Sequence, residues 1–399
     1  MSKPHRNTIE TTIREVLPEA IAMRHHLHQN PELSDQEEKT SAFVAGWLRS
    51  FGLDDIRTGV GGHGVIATLH GTAPNSAQRG LFAIRADMDA LPIQEENDVP
   101  YRSCVPGVMH ACGHDGHTST LLGTAAVLSR LKAHIAGSVR FIFQPAEETV
   151  GGATRMCANG ALEGVESIIA LHGWPGLAPG QIGVRAGAMM ASSDTYDIVI
   201  KGKGAHAAMP QNGIDPVFVS AHIVMALQSL SSREIAPTDA VVVTVSQIHT
   251  GTAYNVIPET ATLKGTVRCL THSTRESMPA RMERIIQGIC AAFRAEYEFT
   301  YRSGVGVTVN DVGVNAMVEE VGRSLLGEEN VIALEVPSMG AEDFSAYLNL
   351  IPGAMFRLGV GTDKPSLHNS RYDFGDEAIP VGMEMFVNSV FRYFENANR

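Results

Sequence analysis

The sequence lacks several features that would assign it to a class of protein at once. Basic residues are few, 31 against 43 acidic ones, and the formal net charge is −12. This balance argues against a nucleic-acid partner, which would need Lys and Arg residues to displace counterions from phosphates. No apolar run approaches the ~20 residues that a membrane-spanning helix requires, and no apolar signal core follows the polar N-terminus. We therefore expect neither a nucleic-acid partner nor a membrane partner.

Cysteine is also scarce, with five residues in a chain of 399. Their number is odd and their spacing is irregular, which does not fit the disulfide framework of a small secreted protein. We therefore expect a reducing compartment and a cytoplasmic location.

The length and the 44% hydrophobic content indicate a globular chain of more than one domain. Short buried strands alternate with helices up to about residue 186, and this alternation returns near residue 304, which predicts an α/β domain with a parallel or mixed sheet. The intervening strands are longer and more alternating, in the order strand-helix-strand-strand-helix. The sequence predicts a catalytic α/β domain of residues 1–186 and 304–399, interrupted by a smaller α+β domain of residues 187–303.

The densest chemical signal lies in residues 109–117, where three histidines, one cysteine and one aspartate fall within eight residues. Gly113 and Gly116 disfavour a regular helix there, so we expect an irregular loop. On such a loop, Cys112 and His114 can present a thiolate and an imidazole to one cation. The alternative is a buried cysteine among histidines that are satisfied within the loop, and the density of the cluster argues against it.

Three weaker signals follow other predicted strands of the same domain. Glu147 and Glu148 are adjacent, so their carboxylates point in different directions and can serve as a general base and a metal ligand. The alternative is a pair of solvated acids at the start of a helix. His172 and His368 each follow a strand. The candidate ligands are therefore Cys112, His114, Glu148, His172 and His368. If Cys112 binds two cations at once, these five residues give each cation three ligands and leave open positions for water and substrate.

Two features of the inserted domain are less specific. His206 lies on a glycine-rich turn after a predicted strand. Asn255 and Arg268 lie on neighbouring segments, where an amide and a guanidinium can bind a carboxylate together. A turn histidine and an exposed strand arginine explain these residues equally well.

Taken together, these segments resemble the M20 family of metallopeptidases, and within it the amidohydrolase branch. The branch includes N-acyl-amino-acid amidohydrolases, hippurate hydrolases and auxin-conjugate hydrolases. The resemblance covers nearly the whole chain, and the order and spacing of the segments make it specific. The segments are His28–Leu33, Arg85–Pro92, Cys112 with His114, Glu147 with Glu148, His172, the His206 turn, Asn255–Pro258, Gly340–Phe344 and His368 with Asn369.

The resemblance implies a catalytic domain that binds two divalent metal ions, with manganese, zinc, cobalt and nickel as candidates. It also implies a ferredoxin-like lid domain that mediates a homodimer or a higher homo-oligomer. By resemblance, Cys112, Glu148 and His368 hold one metal, and Cys112, His114 and His172 hold the other. Further implied roles are general base for Glu147, oxyanion stabilisation for His206, and substrate binding for Asn255, Arg268 and Gly340.

One departure narrows the subfamily. The exopeptidase branches carry His-x-Asp on an early strand and a bridging aspartate, whereas this chain has Arg85-Ala86-Asp87. His114 and Cys112 replace the missing ligands, as is typical of the amidohydrolase branch. We expect Asp87 or Asp89 to hydrogen-bond to one of the metal ligands and so to fix its orientation.

The sequence therefore predicts metal-dependent hydrolysis of the amide bond of N-acyl or N-aroyl amino acids, such as hippurate. A dipeptidase, a carboxypeptidase and an N-acetyl-diaminopimelate deacetylase are alternatives. A cysteine hydrolase that uses Cys112 and His114 is a further alternative, although two residues on one glycine loop are poorly placed for nucleophilic catalysis. A catalytically inactive binding protein is disfavoured because the complete set of ligands and base is present.

Overall fold

The structure is a computed structural model that describes residues 6–74, 80–149 and 151–396. The helices are α1 Arg6–Gln29, α2 Glu38–Ser50, α3 His114–Arg130, α4 Gly152–Ala158, α5 Pro216–Leu227, α6 His272–Phe293, α7 Val312–Leu326, α8 Ser345–Leu348 and α9 Ala378–Asn396. The first strands are β1 Asp54–Val60, β2 Gly64–His70, β3 Leu81–Asp87, β4 Ser138–Gln144, β5 Val165–Pro175, β6 Ile182–Val184, β7 Gly187–Met190 and β8 Ser193–Lys201. The remaining strands are β9 Ala205–His206, β10 Val241–Thr250, β11 Val256–Ile257, β12 Thr260–Cys269, β13 Glu296–Val305, β14 Thr308–Asn310, β15 Val331–Ala333 and β16 Gly353–Gly361.

The chain divides into two units, and a mixed sheet forms the framework of the first, which comprises Met1–Met189, Val309–Val336 and Asp343–Arg399. Its strand order is β1-β2-β4-β3-β5-β16-β6-β15. β3 runs parallel to β4 and β5, and β16 runs parallel to β5, whereas β2 is antiparallel to β1 and β4. The predicted mixed α/β sheet is therefore confirmed. Because parallel strands end at the same edge, the carboxyl ends of β3, β4, β5 and β16 meet there.

Helices α1, α3 and α9 pack against one another beside this sheet. α1 buries Ile9, Ile13 and Val16 at the spacing of one helical face. The helices approach closely at Gly123, where an added Cβ would lie 2.8 Å from the sulfur of Met383. Within the described residues, no helix is long and apolar enough to cross a membrane.

The start of α3 differs from the prediction. We expected an irregular loop around Gly113 and Gly116, but α3 begins at His114. Gly113 adopts the left-handed backbone (φ 89°) that precedes the helix. Gly116 lies inside the helix. A Cβ at this position would lie 2.3 Å from Phe374 Cγ, so the ring leaves room for glycine but not for a larger residue. The glycine thus permits close packing rather than an irregular backbone.

The second unit comprises Met190–Thr308 and Pro337–Glu342. Its sheet has the order β10-β12-β8-β13 with antiparallel neighbours. The side chains of Tyr196, Ile198 and Ile200 on β8 are buried on one face, against α5 and α6. Along the chain the elements follow the order strand-helix-strand-strand-helix-strand, which is that of a ferredoxin-like fold.

Strand β13 was not predicted, because its alternating residues include Glu296, Glu298 and Arg302 and give no apolar run. The strand continues through Val305, so the chain leaves the second unit near Thr308, whereas the sequence placed the boundary at 303/304. Strand β1 was also not predicted.

Candidate metal centre

Five residues with metal-binding side chains lie at the carboxyl edge of the first unit's sheet. Cys112 and His114 stand at the start of α3, His172 lies on β5, and Glu148 follows β4. His368 lies in the segment after β16. Its backbone N–H donates to the carbonyl oxygen of Ala111 (2.8 Å), which ties that segment to the one that carries Cys112.

These five residues form two groups that share one member. The ligand atoms of Cys112, His114 and His172 lie within 4.8 Å of one another, and so do those of Cys112, Glu148 and His368. Cys112 Sγ is 3.5 Å from His172 Nε2. The structure thus brings together the residues that the sequence grouped, and only Cys112 belongs to both sets. Their role as ligands stays a prediction.

The ring of His114 is oriented by Asp89. His114 Nδ1 donates to the backbone carbonyl oxygen of Asp89 (2.9 Å), and Nε2 is buried without a hydrogen-bond partner among the described residues. Nε2 lies 3.6 Å from Asp87 Oδ2 and 4.0 Å from Glu148 Oε1. Burial would lower the pKa of His114, but these carboxylates raise it to about 10. A proton on Nε2 therefore occupies a position where a metal cation fits.

His172 is held in the tautomer that a metal ligand needs. Its Nδ1 donates to the carbonyl oxygen of Gly173 (2.8 Å), so the lone pair of Nε2 faces Cys112. Burial lowers the pKa of His172, which keeps the ring neutral. Burial and the carboxylates of Glu148 and Glu147 raise the pKa of the Cys112 thiol well above its ordinary value. A divalent cation would reverse that effect, because thiolate is the form that binds metal.

His117 was missed as part of the site, although it stands in the predicted cluster. Its Nδ1 donates to Asp87 Oδ1 (2.7 Å), and its Nε2 accepts from the backbone N–H of Gly173 (2.8 Å). Both ring nitrogens are occupied, so His117 positions the backbone beside His172. Asp87 is fixed in turn by Arg85, whose guanidinium donates to Asp87 Oδ2 (2.7 Å). Asp89 thus stands behind His114 of the first group, whereas Asp87 accepts from His117, which belongs to neither group.

A second charged cluster lies at the other side of the same segment. We call Arg24, His28, Glu95 and Asp115 the Asp115 cluster. Arg24 Nε donates to Asp115 Oδ2 (3.0 Å), His28 Nδ1 to the same oxygen (2.9 Å), and His28 Nε2 to Glu95 Oε1 (3.0 Å). Burial would lower the pKa of His28, but the two carboxylates raise it to about 9. His28 is therefore an imidazolium at neutral pH, and the resemblance segment that begins at His28 was its only signal in the sequence.

The second unit holds the remaining predicted residues at two separate places. His206 pairs with Val256 between β9 and β11, and the carbonyl oxygen of Asn255 accepts from the N–H of Ala207 (2.9 Å). His206 and Asn255 therefore lie at the end of the sheet where β12 begins.

Arg268 is at the opposite end of β12. Arg268 lies seven positions after Ala261, which is roughly 24 Å along a strand. Gly340 is bonded to Ala191 (2.9 Å), next to Ser192, which bonds the Cys269 carbonyl (2.8 Å). The expectation that Asn255 and Arg268 bind one carboxylate from neighbouring segments is therefore wrong within one chain, because the strand between them is extended. Their separate roles stay predictions.

Comparison with known proteins was consistent with this geometry. The profile of peptidase family M20/M25/M40 matches residues 83–392. An N-acetylcysteine deacetylase of Bacillus subtilis is 41% identical over 92% of this chain and 94% of its own length. An N-acyl-L-amino acid amidohydrolase of Geobacillus stearothermophilus is 46% identical over 76% of this chain and 80% of its own length. The crystal structure of the YXEP protein of Bacillus subtilis, described as a dinuclear metal-binding peptidase of family M20, superimposes with a TM-score of 0.84 at 36% identity, over 96% of this chain and 99% of the other.

Proposed function

The chain belongs to peptidase family M20/M25/M40, and from that premise we propose that it is a metal-dependent amidohydrolase acting on N-acyl amino acids. The reaction would cleave the amide bond of an N-acyl or N-aroyl amino acid, such as hippurate, into a carboxylic acid and a free amino acid. The observation that carries this proposal is the pair of three-residue groups that share Cys112, with Glu147 beside them. The activities named for the two sequence relatives support the same reaction class.

Two divalent metal ions fit the donor set. One would be held by Cys112, Glu148 and His368, and the other by Cys112, His114 and His172. Two buried atoms without a hydrogen-bond partner among the described residues, His114 Nε2 and Glu148 Oε1, support this assignment. When bound, the ions supply Lewis-acid polarisation of the amide carbonyl. A bridging thiolate suits zinc, and manganese, cobalt and nickel remain candidates.

Glu147 would move the protons of the reaction. A carboxylate oxygen of Glu147 lies within 4.8 Å of the ligand atoms of His114 and Glu148. From that position Glu147 would accept a proton from the attacking water and then donate it to the leaving nitrogen. The adjacent residue Glu148 points to the metal set, so the two neighbouring carboxylates would have different tasks.

The second unit would act as a lid and as a dimerisation domain. His206 would stabilise the developing oxyanion, and Asn255, Arg268 and Gly340 would bind the substrate. Because His206 and Asn255 lie at one end of the sheet and Arg268 at the other, a single substrate that meets both ends needs two copies of the chain. This separation supports a homodimer in which each copy completes the site of the other.

A substrate panel tests the proposed function. Purified protein reconstituted with metal would be given N-benzoyl, N-acetyl and indole-acetyl amino acids and plain dipeptides, each with and without chelator. We expect release of free amino acid from an acylated substrate, its loss with chelator, and no reaction of dipeptides. Activity that survives chelation would exclude the metal mechanism, and silence across the acylated set would exclude the substrate class.

A further inference from the structure

Arg357 is a buried cation that has no anionic partner in the described part of the chain. It is 8% exposed, its Nε has no hydrogen-bond partner, and its guanidinium forms no ion pair there. Burial lowers the pKa of Arg357 to about 10, and no carboxylate opposes this effect. A buried charge without a partner is unfavourable, so its presence calls for an explanation.

The other buried arginines of the first unit are satisfied. Arg24 and Arg85 form ion pairs with Asp115 and Asp87. Arg140, which is also 8% exposed, donates to Thr68 Oγ1 (2.8 Å) and to the carbonyl oxygen of Ala161 (3.1 Å). Arg357 therefore differs from them in its hydrogen bonds and not in its burial.

Arg357 stands beside the candidate metal centre. It lies on β16 in register with His172 on the parallel strand β5, so the two side chains emerge on the same face of the sheet. Arg357 Cζ is 3.7 Å from the centre of the Trp174 ring, and that ring is 5.8 Å from the ring of His172. Stacking on an indole occupies the face of a guanidinium and leaves the N–H donors along its edge for another group.

We propose that Arg357 binds a carboxylate of the ligand at this site. A guanidinium edge presents two parallel N–H donors, which match the two oxygens of a carboxylate. The carboxylate can be that of an N-acyl amino acid substrate or that of the released acid. This inference rests on the proposed function, and it gives the metal-bearing unit a carboxylate-binding residue that is distinct from Arg268 in the second unit.

Trp174 offers a direct readout, because the chain has two tryptophans and the other is Trp47. In Trp47→Phe protein, Trp174 alone reports on the stacked guanidinium. The probes are benzoate, which represents a released acid, and 3-benzoylpropionate, a non-hydrolysable analogue in which a methylene replaces the amide nitrogen of benzoylglycine. Benzamide and 3-benzoylpropionamide are the neutral controls, and ionic strength is held constant.

We expect one of the carboxylates to change the Trp174 emission with saturation, and its amide to leave the emission unchanged. In the Arg357→Met variant that carboxylate should bind about tenfold more weakly or worse, as the loss of a charge-assisted hydrogen bond predicts. The probe that loses affinity identifies the source of the carboxylate. Arg130→Met removes an exposed arginine, and the affinity of this variant for the carboxylate should equal that of the Trp47→Phe protein. Three results would each overturn the proposal. They are an unchanged affinity in Arg357→Met, equal binding of the amides and the carboxylates, and no binding of either carboxylate by the Trp47→Phe protein.

Arg357→Lys keeps the proposal testable if the methionine variant does not fold. Lysine retains the charge but cannot present two parallel donors, so affinity should fall by about threefold or more. Full affinity in the lysine variant would overturn the inference. The titration requires no turnover. Arg357-dependent binding without hydrolysis of any acylated substrate would therefore contradict the proposed function alone.

Discussion

The candidate metal centre and the Asp115 cluster meet on one short segment, yet they differ in how their charged groups are paired. In the Asp115 cluster, the two cations Arg24 and His28 face the carboxylates of Asp115 and Glu95. In the metal centre, the carboxylates of Asp87, Asp89 and Glu148 surround His114 and raise its pKa to about 10. The Asp115 cluster is held by ion pairs between its own side chains, whereas the ligand atoms of the metal centre lie close enough together to hold added cations. The first should therefore govern stability, and the second metal binding and activity.

The largest expected effect is that of Cys112→Ala. Because Cys112 is the shared member of both groups, its loss should lower the metal affinity of both sites. The loss should exceed the roughly 100-fold that is reached when a residue hydrogen-bonded to a metal ligand is removed. Metal content after dialysis, measured by elemental analysis, checks this. Cys104→Ala removes an exposed thiol outside both groups and should retain both ions. Two ions retained by Cys112→Ala would contradict the shared-ligand assignment.

The two adjacent glutamates of the metal centre should respond differently to the same substitution. Glu147→Gln should lower kcat by about 10²- to 10⁴-fold, because it removes the proton acceptor, and should leave the metal content unchanged. Glu148→Gln is the matched control, since it should lower metal content as well as activity. Steady-state kinetics and elemental analysis on the same samples separate the two. Appreciable turnover by Glu147→Gln would remove this residue from the role of base.

The five candidate ligands could be found from the sequence because each lies near the end of a strand or the start of a helix, at one edge of the mixed sheet. A local pattern is enough to place such residues together. Gly116 shows the limit of that reasoning. Its role depends on Phe374, a residue more than 250 positions away, so the local rule that glycine disfavours a helix gave the wrong result.

The Asp115 cluster was beyond prediction for the same reason. Its cations come from α1 and its second acid from the segment after β3, so no spacing in the sequence brings them together. The separation of Asn255 from Arg268 follows from β12, which is extended over Thr260–Cys269 and lies between them. Partners that are distant in sequence are thus the part that required the structure.

Arg24→Met in the Asp115 cluster should lower the free energy of unfolding. Removing one member of a buried ion pair typically costs about 3–5 kcal/mol. Arg24 side-chain exposure is 0%, and the residue also pairs with Asp373 and Asp376. Arg130→Met, which breaks an exposed pair with Glu15, should cost at most about 1 kcal/mol. Urea denaturation of both variants measures the difference, and equal costs would mean that the cluster does not stabilise the fold.

A smaller effect should appear as a pH dependence of stability from His28. Its folded pKa of about 9 lies above the ordinary value of 6.5, so its contribution is fully present below about pH 6.5 and is lost as the pH rises through 9. The shift corresponds to about 3 kcal/mol at most. Urea midpoints of the wild type and of His28→Gln, measured from pH 6 to 10 at fixed metal content, should converge as the pH rises. Curves that stay parallel would show that His28 is not the titrating group. The effect should be smaller than that of Arg24→Met because a neutral His28 still leaves Asp115 paired with Arg24.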